Sequence, residues 1–182
     1  MCKNAQFWKF DEKYKPIQIS LFHNDTVDKI QVYAVDPQCS EDAERYCQNL
    51  CLLGKLWIDH KTLYFDNEGS FIFYVFLKDQ EFIGYYSKET DVENDMNYNH
   101  LSCVMVLPLH QQKGYGTFIS SFAYLLAEKI SRHNSGPEFP LSPSGRAMYF
   151  SYWRTVISGI FMKKTDVLCG GMLSIQDLRD YF

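Results

Sequence analysis

Two glycines one residue apart, Gly114 and Gly116, stand in the run LPLHQQKGYGTFISSFAYLLAEKI, between an apolar strand-like stretch and a long helix-like one. Such a turn leaves backbone N–H groups unpaired at the positive end of a helix dipole, and glycines let a phosphate come close to the main chain. The chemistry it offers is anion binding by amides. The spacing is not that of a P-loop, which needs G-x-x-x-x-G-K-[ST]. Nor is it the dinucleotide fingerprint G-x-G-x-x-G, whose third glycine would fall on Ile119. Six cysteines, at 2, 39, 47, 51, 103 and 169, include no C-x-x-C pair, and the five histidines lack zinc-site spacing. Cys47 and Cys51, one helical turn apart, read as small apolar residues of a buried helix face rather than half a metal site. Read bare, Glu138 in PEFPLS is a solvated loop carboxylate, Cys103 in LSCVMVL a core thiol and Lys55 a surface lysine.

The elements that must position these residues alternate between strand and helix patterns, with no repeat and no low-complexity segment. IQISLF and IQVYAV read as strands. A helix is predicted from Ser40 to about Leu56, with Ser40 as N-cap and Glu41 and Asp42 in the first turn, where carboxylates suit the dipole. TLYF, SFIFYVFLK and EFIGYYSK form a strand series, the last two joined by a tight turn at Asp79–Gln80. DVENDMNYN is a polar loop. HLSCVMVL is predicted as a buried strand ended by Pro108, which cannot donate to a ladder. After Gly114 a helix carries the stripe Phe118, Ile119, Phe122, Leu125, Leu126 and Ile130. Past the loop SGPEFPLSPSG, a second helix runs from about Pro143 to Met162 with Ser142 as N-cap, and a short capped segment, SIQDL, follows. The fold class is α+β, or mixed α/β.

Composition narrows the function. A chain of 182 residues with 46% hydrophobic residues is long enough for one well-packed domain. A net charge of −4 and a pI near 5.7 argue against a domain that lives on nucleic-acid phosphates. No basic start followed by an apolar stretch opens the chain, and no apolar run nears the roughly 20 residues that span a bilayer. A soluble intracellular protein with reduced cysteines is the expectation.

The order strand, Q-x-x-G-x-G, helix is the one by which acyl-CoA N-acetyltransferases hold the pyrophosphate of coenzyme A. Taken with YCQNLCLLGKLWIDHKTLYFD, FIGYYSKE, LSCVMVLP, PEFPLS and SYW, in one order from about Val32 to about Ile160, the chain resembles the catalytic domain of the MYST family of histone acetyltransferases. The resemblance implies an acyl-CoA N-acetyltransferase (GNAT-type) core, with a central, mostly antiparallel sheet flanked by helices. It implies one domain, with an N-terminal strand region (1–31), a catalytic core (32–162) and a short C-terminal segment (163–182). Its acetyl-CoA site matches Gln111, Gln112, Lys113, Gly114, Tyr115, Gly116 and Thr117 as the pyrophosphate loop. Val104, Met105 and Val106 match the strand whose backbone pairs with the pantetheine arm, and Ser142 and Ser151 match further cofactor contacts. Glu138 matches the general base, Cys103 the active-site cysteine, and Lys55 a lysine that becomes autoacetylated.

That chemistry meets a physical requirement. A lysine of pKa about 10.4 is the neutral nucleophile in only about 1 of 2500 molecules at pH 7, a cost of roughly 4.6 kcal/mol that a placed base helps to meet. Whether the acetyl group stops on Cys103 or passes directly stays open. The chain departs from the family at Gln112, usually arginine, at Val106, usually threonine, and at Pro143, usually aspartate. The family's zinc finger is unmatched, since Cys2, His23 and Cys39 lack its spacing, so no metal is expected. The expected partners are histone tails and chromatin-complex subunits, with no membrane and no direct nucleic-acid contact. The expected location is the nucleus, or the cytoplasm as well. A degenerate acetyl-CoA-binding subunit and a small-amine N-acetyltransferase are the rival readings.

Overall fold

The computed structural model describes residues 16–23, 26–58, 71–90, 100–131 and 136–165. TLYF, DVENDMNYN and SIQDL lie outside them. Five strands, β1 (Ile17–His23), β2 (Thr26–Val35), β3 (Phe71–Lys78), β4 (Glu81–Glu89) and β5 (Cys103–Val106), form one antiparallel sheet in chain order. Helix α1 (Glu41–Lys55) lies between β2 and β3 in the chain, and α2 (Tyr115–Ser131) and α3 (Pro143–Thr165) follow β5. The antiparallel sheet with flanking helices is the mixed architecture that the sequence implied.

The helices form where their ends are chemically marked. Ser40 Oγ accepts the Ala43 amide at 3.2 Å, and Glu41, Asp42 and Glu44 fill the first turn of α1. Ser142 Oγ likewise accepts the Gly145 amide at 3.1 Å, and Pro143 takes the first helical position, where its missing N–H costs nothing. Helix α1 lays Ala43, Tyr46, Cys47 and Leu50 on one sheet face, against Val35, Phe73, Val75, Tyr85 and Met105. Helices α2 and α3 cover the other face with Ile119, Phe122, Ala123 and Tyr149, against Ile30, Val32, Tyr74, Phe76 and Tyr86. Burial pushes the Cys47 thiol up, so it stays protonated and behaves as the apolar residue that its helix position predicted.

Three details differ from the pattern in the sequence. Leu125 belongs to the expected α2 stripe yet is 58% exposed. It lies six residues beyond Ile119, about one and two-thirds turns, which carries it to the far side, and Ala123 and Ala127 face the core instead. The strand expected over HLSCVMVL is regular only from Cys103 to Val106, and only Met105 of those four is buried. Among the described residues it is an edge strand, mostly half-buried rather than buried. Between β3 and β4 the register slips after Phe76, which pairs with Gly84 while Leu77 pairs with Phe82, so Ile83 bulges out of the ladder and joins Tyr86 on one face while Phe82 and Tyr85 take the other. Asp79 and Gln80 make the β3–β4 turn with φ of 49° and 66°, the left-handed pair that a two-residue hairpin requires.

Gly84 sets how closely β4 and β5 approach. A Cβ there would collide with the carbonyl oxygen of Met105 and stand 3.0 Å from Val106 Cα, and backbone cannot swing aside as a flexible side chain can. Gly84→Ala is expected to cost roughly 1–3 kcal/mol, and each kcal/mol lowers Tm by about 2–4 °C at this chain length. Thermal unfolding followed by circular dichroism checks this. A variant as stable as the parent would show that the two strands are not so tightly apposed.

Candidate active site

An open cleft of about 1380 Å³ runs beside β5. It is larger than most small-ligand pockets, which span roughly 300–1,000 Å³, and so has room for an elongated ligand together with part of a second one. Its first wall is the free edge of β5. The Leu107 amide donates to Ile83 at 2.9 Å, so residues 103, 105 and 107 turn their backbone groups toward β4. Val104 and Val106 turn theirs the other way. Among the described residues no strand pairs with that side. Gln111 Nε2 donates to the Val106 carbonyl across it at 2.9 Å and ties the following loop to the strand end.

The loop before α2 supplies the second wall. Gln111, Gln112, Gly114, Gly116 and Thr117 border the cleft, whereas Lys113 and Tyr115 do not. Gln112 (φ 58°) and Gly114 (φ 84°) are left-handed, and glycine takes that conformation without a Cβ penalty. The first helical bond of α2 runs from Phe118 N–H to the Gly114 carbonyl at 3.0 Å, so the amides of Tyr115, Gly116 and Thr117 precede it and are open to an anion. Ser142, Pro143, Ser144 and Gly145, the start of α3, border the same cleft. Two helix N-termini therefore face one space, and their partial positive charges add. Gly116 packs on α3, where a Cβ would stand 3.3 Å from Met148 Cγ.

Two further candidate residues, Glu138 and Cys103, come in at the other end of β5. The Glu138 amide donates to the Leu101 carbonyl at 3.1 Å, His100 donates to the Gly136 carbonyl at 3.2 Å, and Leu101 and Pro137 form a parallel bridge. That short ladder holds the Glu138 loop against the strand that carries Cys103, two residues beyond Leu101. Both Glu138 and Cys103 border the cleft; Glu138 is exposed and Cys103 half-buried. The pleat sends Cys103, like Met105, to the α1 face, directly across from Ser87 of β4. Helix α1 contributes Cys47, Cys51, Glu44 and Gln48 to the far wall.

Of the residues singled out in the sequence, Cys103, Val104, Met105, Val106, Gln111, Gln112, Gly114, Gly116, Thr117, Glu138, Ser142 and Ser151 border this one cleft. Lys113 is exposed beside it, and Lys55 is exposed in the last turn of α1, outside its lining. Tyr115 points away from the cleft, 5% exposed and buried against the sheet. Sequence reasoning missed Ser87, Ser144, Gly145 and Met148. The Ser142–Pro143 start of α3 was the one available signal for two of them, because it marks a second helix N-terminus. The residues fit acetyl-CoA on two counts, the uncovered strand edge for an amide-bearing arm and the paired helix N-termini for phosphates. Among the described residues no cluster of His, Cys, Asp and Glu stands ready to hold a metal ion, and no helix is long and apolar enough to cross a membrane.

Comparison with known proteins covers the same ground. Residues 16–181 match the MOZ/SAS family. The histone acetyltransferase KAT6A of Homo sapiens is 47% identical over 132 residues, which are 70% of this chain and 6% of that protein. KAT6B of Mus musculus is 46% identical over 132 residues, 70% of this chain and 7% of that protein. The histone acetyltransferase SAS3 of Saccharomyces cerevisiae is 39% identical over 151 residues, 76% of this chain and 17% of that protein. The chain thus spans less than a fifth of the length of each of these relatives.

Proposed function

The chain belongs to the MOZ/SAS family, the MYST acetyltransferases of the sequence motifs, and from that premise we propose that it transfers acetyl from acetyl-CoA to the ε-amine of lysines in histone tails. The observation that carries the reading is the cleft itself, where an open strand edge, two helix N-termini, Glu138 and Cys103 all meet. The names of the relatives, histone acetyltransferases, support the substrate class. Residues 32–162 form the catalytic core in this reading, within a single domain. Histones place the work in the nucleus, within a complex whose other subunits engage chromatin.

Acetyl-CoA supplies an activated thioester. The protein's part is to hold it and to prepare the amine. The amides of Tyr115, Gly116 and Thr117 and the α3 start receive the phosphates, and the outward backbone groups of Val104 and Val106 pair with the amide-bearing arm. Glu138, exposed in the cleft, takes the proton that the substrate ammonium must lose before its lone pair can attack the acetyl carbon. Cys103 stands on the same strand, either as a transient acetyl carrier or as a shaping residue. A proton acceptor is needed on both routes.

The test is acetyl transfer from labelled acetyl-CoA to core histones, with a free polyamine as control. Label on histone tails and none on the polyamine is the expected result. Tight acetyl-CoA binding without transfer to any acceptor would replace this reading with that of a non-catalytic subunit.

A further inference from the structure

Tyr115 sits between the two glycines of the phosphate loop, and its side chain leaves the cleft altogether. Its hydroxyl donates to Asp28 Oδ2 of β2 at 2.7 Å, a bond that joins residues 87 apart in the chain. Asp28 Oδ1 in turn holds Lys78 Nζ of β3 at 2.6 Å. The His110 and Tyr115 rings meet nearly at right angles with their centroids 6.0 Å apart, and Tyr115 as a whole is 5% exposed. Burial and the neighbouring Asp28 both push its phenol up, so it remains a donor throughout the physiological range. The first residue of α2 is thus fixed at its tip by a charge-assisted bond to the central sheet.

We infer that Tyr115 is a positioning residue for the phosphate loop, pegged to the sheet by Asp28, which Lys78 clamps. Glycines on both sides give this loop more freedom than any other residues would, and ordering it on binding would cost affinity. The peg orders it beforehand, so that the amides of Tyr115, Gly116 and Thr117 already lie where an anion must arrive. The inference rests on the acetyl-CoA reading above and deepens it, because it assigns the peg to phosphate recognition alone. The peg touches neither the acetyl group nor the acceptor lysine, so it should leave the chemical step unchanged.

Tyr115→Phe keeps the ring and removes only the hydroxyl, with its bond to Asp28 and its contact with Lys78. The expected result is a KM for acetyl-CoA about tenfold higher with kcat unchanged, and no change in KM for acetyl-pantetheine, which has no phosphates. CoA affinity by calorimetry should fall by the same factor. Asp28→Ala should match it. The double variant should be no worse than either single one, and Asp28→Asn, which keeps an acceptor, should lose less. Unaltered CoA affinity in both Tyr115→Phe and Asp28→Ala would overturn the peg, as would equal losses for acetyl-CoA and acetyl-pantetheine. A parent protein with no CoA affinity would instead remove the acetyl-CoA reading on which the peg rests.

Discussion

Glu138→Gln is expected to lower kcat on a histone-tail peptide by about 10² to 10⁴ near pH 7, the usual cost of removing a general base, with acetyl-CoA affinity unchanged. The amide keeps the size and the backbone bond to Leu101, so the cleft keeps its shape and loses only a proton acceptor. Every lysine arrives protonated whichever route the acetyl group takes. Cys103→Ala should therefore lose less, since a thiolate is needed only if the acetyl group stops on the protein. The pH dependence has a definite sign. Below about 10.4 the free-amine fraction rises tenfold per pH unit, so the variant gains with pH what the base gave the parent at neutrality. The gap between parent and Glu138→Gln should narrow steadily toward pH 9–10. Measuring kcat against pH for both variants, with acetyl-CoA saturating, decides the matter. Near-normal turnover of Glu138→Gln at pH 7, or a well-folded Cys103→Ala protein dead at every pH, would sink the assignment.

The second large effect is on binding. Gly116→Asp should weaken acetyl-CoA affinity by about 10²- to 10³-fold, the scale of a like-charge contact of roughly 4 kcal/mol at 4 Å near a protein surface. The new carboxylate would occupy the anion site from within. Its Cβ would stand 3.3 Å from Met148 Cγ, and a methionine side chain can move aside. A carboxylate in the first turn of α2 also suits the helix dipole. Thermal stability should therefore hold while affinity collapses, and Gly116→Ala should bind far better than the aspartate. Calorimetry with CoA on both variants is the measurement. Parent-like affinity in Gly116→Asp would show that phosphates bind elsewhere.

Much of this was legible in the chain because it is written locally. Ser40 and Ser142 announce their helices through side-chain oxygens that reach amides three residues on, and Pro143 fits only at a helix start. The Asp79–Gln80 turn is dictated by two strand patterns that leave two residues between them. What was not legible depends on partners remote in sequence. Nothing in LSCVMVL tells whether a further strand covers its outer side, and among the described residues none does. Ile83 changes face because of a register slip against β3, which the β4 sequence alone does not carry. Tyr115 reads as part of a cofactor loop, yet its side chain belongs to the sheet through Asp28 and Lys78. Glu138 is the extreme case. As a residue it is one more loop carboxylate, and only its motif marked it before the cleft gave it neighbours.

An edge left open for a ligand is also open to another polypeptide, and CVMV is a run that would add a strand readily. The geometry of β5 limits that hazard. Its four residues span roughly 13 Å at about 3.3 Å each, too short a template for a durable intermolecular ladder. Both ends are already closed, since Leu101 is bridged to Pro137 and Pro108 has no N–H to offer. Between these stops only Val104 and Val106 present backbone groups outward, and Gln111 already takes one of their carbonyls. The gap suits a narrow amide-bearing arm and denies a neighbouring molecule the length it would need to aggregate there.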